Sequence, residues 1–149
     1  VLQRSKCFGK GPRYNNPDKD ITGLGKQFII FNHDALEMYR SVFICEGALN
    51  ALTIGDRAIA TMGKAISQYQ VNELLKSQCQ RYIILLDPDA RSYAVNLALK
   101  LVAYKKVKVV FLPEGFDVND LGKKQTLKLV YQTRYQSYQE LIQIRNSLE

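Results

Sequence analysis

RYIILLDPDARSYA, residues 81–94, decides how the chain is read. Its first half is a nearly unbroken apolar run, the mark of a strand buried on both faces of a parallel sheet. The run stops at Asp87-Pro88-Asp89, and from Ala90 the apolar residues recur at helical spacing. In open α/β sheets ligands bind beyond the carboxyl ends of the strands, which is where these acids fall. Pro88 favours an extended backbone at Asp87, and on an extended chain residues two apart face the same way. Two carboxylates held about 4 Å apart in a medium of effective dielectric about 20 repel by roughly 4 kcal/mol. A divalent cation removes that cost, and Mg2+ favours a few hard carboxylate oxygens together with waters and substrate phosphate. An isolated D-x-D has a plainer reading, in which Asp89 caps the next helix and Asp87 is solvated.

A second stretch, VFICEGALNAL (residues 42–52), repeats the arrangement: an apolar strand runs straight into Glu46, then Gly47, then a helix. Gly47 is expected to let the backbone turn tightly and to leave room for a ligand. Taken alone, Glu46 is an acid suited to the first turn of a helix. Two strands delivering three acids to one sheet edge point instead to a shared metal site. A third stretch, LPEGFDVNDLGK (residues 112–123), places Asp117 and Asp120 after another apolar run. Asp117 is there either a further ligand or, like Asn119, a cap for a short helix.

Around these stretches the chain falls into three parts. Residues 1–26 are rich in Gly, Pro, Asn, Asp and Lys, as loops and short strands are. Residues 27–122 alternate short apolar runs with amphipathic segments. Strands are expected at QFIIF, SVFIC, AIAT, RYIILLD and VKVVFL, with helices between them. Asn32 is a possible cap, Gly55 a helix stop, and Ser67 with Gln70 a capping box. Such alternation predicts an α/β domain with a central, mostly parallel sheet flanked by helices. Residues 123–149 carry apolar residues at helical spacing and form a C-terminal helical extension.

Bulk composition excludes several function classes. A chain of 149 residues fits one domain, and at that size folding buries roughly 70% of the surface without staples. No apolar run approaches the roughly 20 residues that span a bilayer. Val1 opens the chain without a methionine, as expected of a piece excised from a longer protein. Cys7, Cys45 and Cys79 are odd in number and widely spaced, matching neither a disulfide framework nor a zinc site. His33 is the single histidine, so a His-based metal cluster is excluded, and no G-x-S-x-G accompanies it. The net charge of +7 suits either a solvated basic surface or a polyanionic partner.

Taken together, Glu46-Gly47 at a strand end, ATMGKAIS (residues 60–67), D-x-D after an apolar strand and LPEGFDVNDL resemble the Toprim domain, and more narrowly the Toprim part of DnaG-like bacterial and phage primases. The upstream run RYNNPDKD with GKQFIIFNHDAL (residues 13–36) resembles those primases too, and separates them from topoisomerases and small Toprim nucleases. The resemblance covers about residues 8–122. It implies a Toprim-type fold and Mg2+-dependent synthesis of RNA primers by nucleotidyl transfer, with Mn2+ a possible substitute. Glu46, Asp87 and Asp89 are then the catalytic, metal-organising acids, and Asp117 joins them as a ligand. Arg13, Tyr14, Lys26 and Lys64 are candidate contacts to nucleotide phosphates or template. The implied partners are single-stranded DNA, ribonucleotides and a replicative helicase or neighbouring helicase domain, with no membrane. The implied setting is the cytoplasm of a bacterial cell or phage-infected host. The alternatives are a Toprim nuclease and a catalytically silent nucleic-acid-binding module. Three positions depart from the pattern: Asn50 stands where an aspartate is expected, Arg91 where a glycine is frequent, and Phe116 where a lysine is frequent.

Overall fold

A computed structural model describes residues 25–149 and, before them, only the backbone pairing of β1 (Gln3–Arg4) with β2 (Tyr14–Asn15), which run antiparallel. Tyr14 is therefore known by its backbone alone, and Arg13 and Cys7 lie outside the described residues.

The centre is a four-stranded sheet of β3 (Ser41–Cys45), β4 (Ala58–Ala60), β5 (Arg81–Leu85) and β6 (Lys106–Val109). All its pairings are parallel and the spatial order is β4-β3-β5-β6. The chain first steps outward from β3 to β4, then crosses back over β3 to β5 and continues to β6. The strand order therefore reverses between β3 and β5, which are paired from Ser41 with Arg81 to Cys45 with Leu85. That reversal opens a crevice at the carboxyl ends of these two strands.

Among the described residues six helices cover the sheet: α1 (Ala35–Met38), α2 (Ala48–Ile54), α3 (Gln68–Lys76), α4 (Arg91–Leu101), α5 (Val118–Gln132) and α6 (Tyr138–Leu148). Side chains alternate across each strand, so a parallel strand needs apolar residues on both sides. Along β5, Tyr82 and Ile84 pack with Leu36, Leu74, Val95, Leu101 and Leu141 from α1, α3, α4 and α6. Ile83 and Leu85 enter the opposite core, with Ala51 and Ile54 of α2 and Val118 and Val130 of α5. Cys45 and Cys79 are buried free thiols. Among the described residues no helix is long and apolar enough to cross a membrane.

Three local expectations are corrected. QFIIF is not a strand: Lys26–Phe28 form a 3-10 turn, and Phe31 makes a single antiparallel bridge to Ala60. The run ends there because Asn32 takes a left-handed φ of 57°. Asn32 does not cap α1 either. Its amide donates to the carbonyls of Asp56 and Ala58, both at 3.0 Å, and so pins the turn to β4. The C-terminal region is two helices rather than one. α5, bent at Gly122 with φ 79°, ends at Thr133, and Ser137 with Glu140 makes a capping box that opens α6. Gly55, by contrast, closes α2 with φ 115° as expected.

Candidate metal centre

Glu46 leaves β3 as the chain turns into α2, and Asp87 leaves β5 as it enters a 3-10 turn over Pro88–Ala90. Each therefore stands at the carboxyl edge of its strand, one on either side of the crevice. Asp87 is extended, with φ −60° and ψ 155°, as Pro88 requires of the residue before it. Asp89 does not continue that extension. The 3-10 turn, rather than a strand pleat, carries its carboxylate back to the others. Glu46, Asp87 and Asp89 each place a carboxylate oxygen within 4.8 Å of the rest, the one such acid group found among the described residues.

Clustering has an electrostatic consequence at Glu46. Burial first, and then the charges of Asp87 and Asp89, raise its carboxyl from the ordinary 4.5 to about 7. Lys64 and a hydrogen bond from the Asp87 backbone pull the other way without cancelling the rise. Glu46 Oε2 is buried and has no hydrogen-bond partner. A buried oxygen without a partner is costly, and beside two further carboxylates it suits a hard cation, which binds oxygen. Gly47 adds a second indication. Its backbone is ordinary extended chain (φ −113°, ψ 155°), so the tight turn expected of it is not its role. A Cβ built there meets nothing within 4 Å, which leaves open space directly beside Glu46. The donor set and that space both fit a hydrated divalent ion.

Asn50 holds the arrangement in place. Its Nδ2 donates to Asp87 Oδ1 at 3.1 Å, and its Oδ1 accepts the Asn119 N–H at 3.1 Å. The Asn50 oxygen thus serves the first turn of α5. Arg91 is turned elsewhere as well: it pairs with Glu114 at 2.9 Å, donates to the Leu112 carbonyl at 3.0 Å and lies over the Phe111 ring. Phe116 is half exposed.

Of the other residues singled out by sequence, Lys64 joins the centre, its Nζ 3.0 Å from Asp89 Oδ2. Asp117 is not brought into the cluster. It caps α5 by accepting the Asp120 N–H at 2.7 Å, and the Asp120 carboxylate accepts the Asp117 N–H at 3.1 Å. Lys26 stands on the 3-10 turn, whose carbonyl is linked through the Gln70 amide to that of Thr61, three residues before Lys64. Sequence reading missed the site roles of Asn50 and Gln70. The capping box flagged Gln70, but nothing local could announce that its other end ties two loops together.

Comparison with known proteins gives a consistent picture. No family model matches the chain. It is 29% identical over 135 residues to the DNA primase of Aquifex aeolicus (strain VF5), an alignment covering 81% of this chain and 27% of that one. It is 24% identical over 116 residues to the DNA primase of Lactococcus lactis subsp. lactis (strain IL1403), covering 72% of this chain and 18% of that one. Among solved structures, the DnaG primase catalytic domain bound to ssDNA superposes with a TM-score of 0.71 at 20% identity, covering 95% of this chain and 48% of that one. The RNA polymerase domain of Mycobacterium tuberculosis primase DnaG gives 0.66 at 18%, covering 95% and 50%. The chain thus spans 27% or less of these curated relatives and about half of the solved cores. Its fold is DnaG-like, a parallel sheet between helices as the Toprim resemblance implied.

Proposed function

We propose that this chain, DnaG-like in sequence and in fold, is the Toprim part of a primase catalytic core and serves Mg2+-dependent synthesis of RNA primers on single-stranded DNA. The observation that carries the reading is the convergence of Glu46, Asp87 and Asp89 from the two strands flanking the crevice. Those residues would hold Mg2+, with Mn2+ able to replace it. Bound there, a divalent ion would supply the charge neutralisation that nucleotidyl transfer needs. The chain's own residues do the positioning. Asn50 fixes Asp87 against α5, Gly47 leaves the approach clear, and Lys64 offers an ammonium beside Asp89. Positioned charge of this kind is the main instrument of phosphoryl-type transfer. In the same reading Arg13, Tyr14 and Lys26 contact template or nucleotide, residues 1–26 and 123–149 flank a Toprim domain at 27–122, a helicase is the partner, and the work is cytoplasmic.

The test is ribonucleotide incorporation on a single-stranded DNA template with Mg2+ or Mn2+, comparing the chain with Asp87→Ala at equal folded content. Incorporation is expected to fall at least about a hundredfold, in line with loss of a metal-holding group. Undiminished incorporation removes the assigned roles. Metal-dependent cleavage of labelled DNA without nucleotides, lost in the same variant, would assign the acids to hydrolysis instead.

A further inference from the structure

The loop that delivers Lys64 is built, not slack. Thr61 N–H donates to the Cys45 carbonyl at 3.1 Å and Met62 N–H to the Glu46 carbonyl at 2.9 Å, so the loop is stitched to the end of β3. Thr61 Oγ1 donates to the Gly63 carbonyl at 2.9 Å. Met62 takes a left-handed φ of 66°, a conformation that non-glycine residues hold only when their surroundings enforce it. This backbone sets Lys64 over the acids, where its Nζ meets Asp89 Oδ2 at 3.0 Å.

Resting on the metal-centre reading above, we infer that the Lys64 ammonium is the second cation of the site, so that the centre takes up one divalent ion and not two. The charge balance is the argument. Three ionised carboxylates and one ammonium leave two negative charges, which one divalent ion neutralises. A second such ion would leave the pocket strongly positive before substrate arrives. Ligand number does not set this limit, because Mg2+ keeps several waters and needs only one or two carboxylates from the protein, so the three acids can serve a second ion once the ammonium is gone. An ammonium also carries three donors. Lys64 can therefore keep Asp89 and still receive a phosphate oxygen, which suits a charge that stays in place while substrates turn over.

The experiment counts Mn2+ bound per chain by electron paramagnetic resonance titration at mildly alkaline pH. It compares the wild type with Lys64→Ala, Lys64→Gln, Lys64→Arg and Asp87→Ala, each checked for fold by circular dichroism. One Mn2+ in the wild type, two in both neutral variants and one again in Lys64→Arg is the expected pattern. Two ions in the wild type, or a single ion in the neutral variants, overturns the inference. Ions that bind equally well to Asp87→Ala, or that bind to no form, overturn the metal-centre reading itself. Lys64 lies on the surface, with its side chain 45% exposed, and Lys64→Gln retains much of its length should Lys64→Ala disturb the loop.

Discussion

Glu46 concentrates the chemistry of the site in one titration. Its carboxyl is raised to about 7 because folding buries it beside Asp87 and Asp89. A carboxyl whose folded value lies above its unfolded value binds protons more tightly in the native state. Stability contributed by that proton is present at low pH and is lost as pH rises from about 4.5 through about 7. Without divalent ions, the melting temperature is therefore expected to decline across that window and then level off. Mg2+ or Mn2+ is expected to restore it at the upper end, with release of a proton on binding. Glu46→Gln should flatten the decline. Scanning calorimetry in chelator and in metal reads all three, and a pH-independent melting point in the wild type would contradict the electrostatic account. At this scale the acids were legible because each follows an apolar strand directly. Asn50 was only half legible. Its position in the pattern was visible, but its bond to Asn119 joins residues 69 apart and depends on how α5 arrives.

At the scale of elements, the site is positioned by connections more than by the sheet itself. Gln70 shows how. Its Oε1 accepts the Ser67 N–H at 3.0 Å, completing the box that starts α3, while its Nε2 donates to Ile29 O at 2.7 Å and Thr61 O at 2.8 Å. The residue is buried, so one amide secures the turn that QFIIF was expected to fill as a strand, and the loop that carries Lys64. Gln70→Leu keeps the bulk but leaves those carbonyls buried and unpaired, at a cost of about 3 kcal/mol. Urea unfolding measures it, and a loss below about 1 kcal/mol would mean that water or a shifted turn replaces the amide. The same variant should weaken Mn2+ binding, because the Thr61 end is no longer held. The strands and helix starts were readable from apolar runs and capping boxes. The break before α6 was readable too, since Ser137 and Glu140 spell the same box, but the continuous apolar spacing hid it. QFIIF misled because a β-prone run still needs a neighbour, and this one meets β4 at a single residue pair.

Across the whole molecule, the net charge of +7 overstates what is available to a polyanion. Lys105 gives its ammonium to the carbonyls of Ser77 and Cys79, and Lys108 to those of Val130 and Thr133, closing the end of α5 beneath the Tyr135 ring. Burial holds Lys108 below the usual lysine range. These cations fasten the layers together, which composition could not distinguish from a binding surface. The C-terminal helix poses the same question of belonging. Its sequence allowed either docking on the domain or passage toward a neighbour, and the structure packs Leu141 of α6, with no exposed surface, into the core shared with α3 and α4. If α6 is part of the cooperative unit, Leu141→Ala should remove about 2–5 kcal/mol, the transfer loss plus the cavity left behind. Tyr138→Ala, at an exposed position of the same helix, should change stability by less than about 0.5 kcal/mol. Denaturant unfolding followed at once by far-ultraviolet dichroism and tyrosine fluorescence separates the outcomes. A single transition lowered in midpoint by Leu141→Ala alone makes α6 a structural wall of the domain. A separate early transition, or a loss below about 1 kcal/mol, makes residues 138–149 an appendage whose partner lies elsewhere.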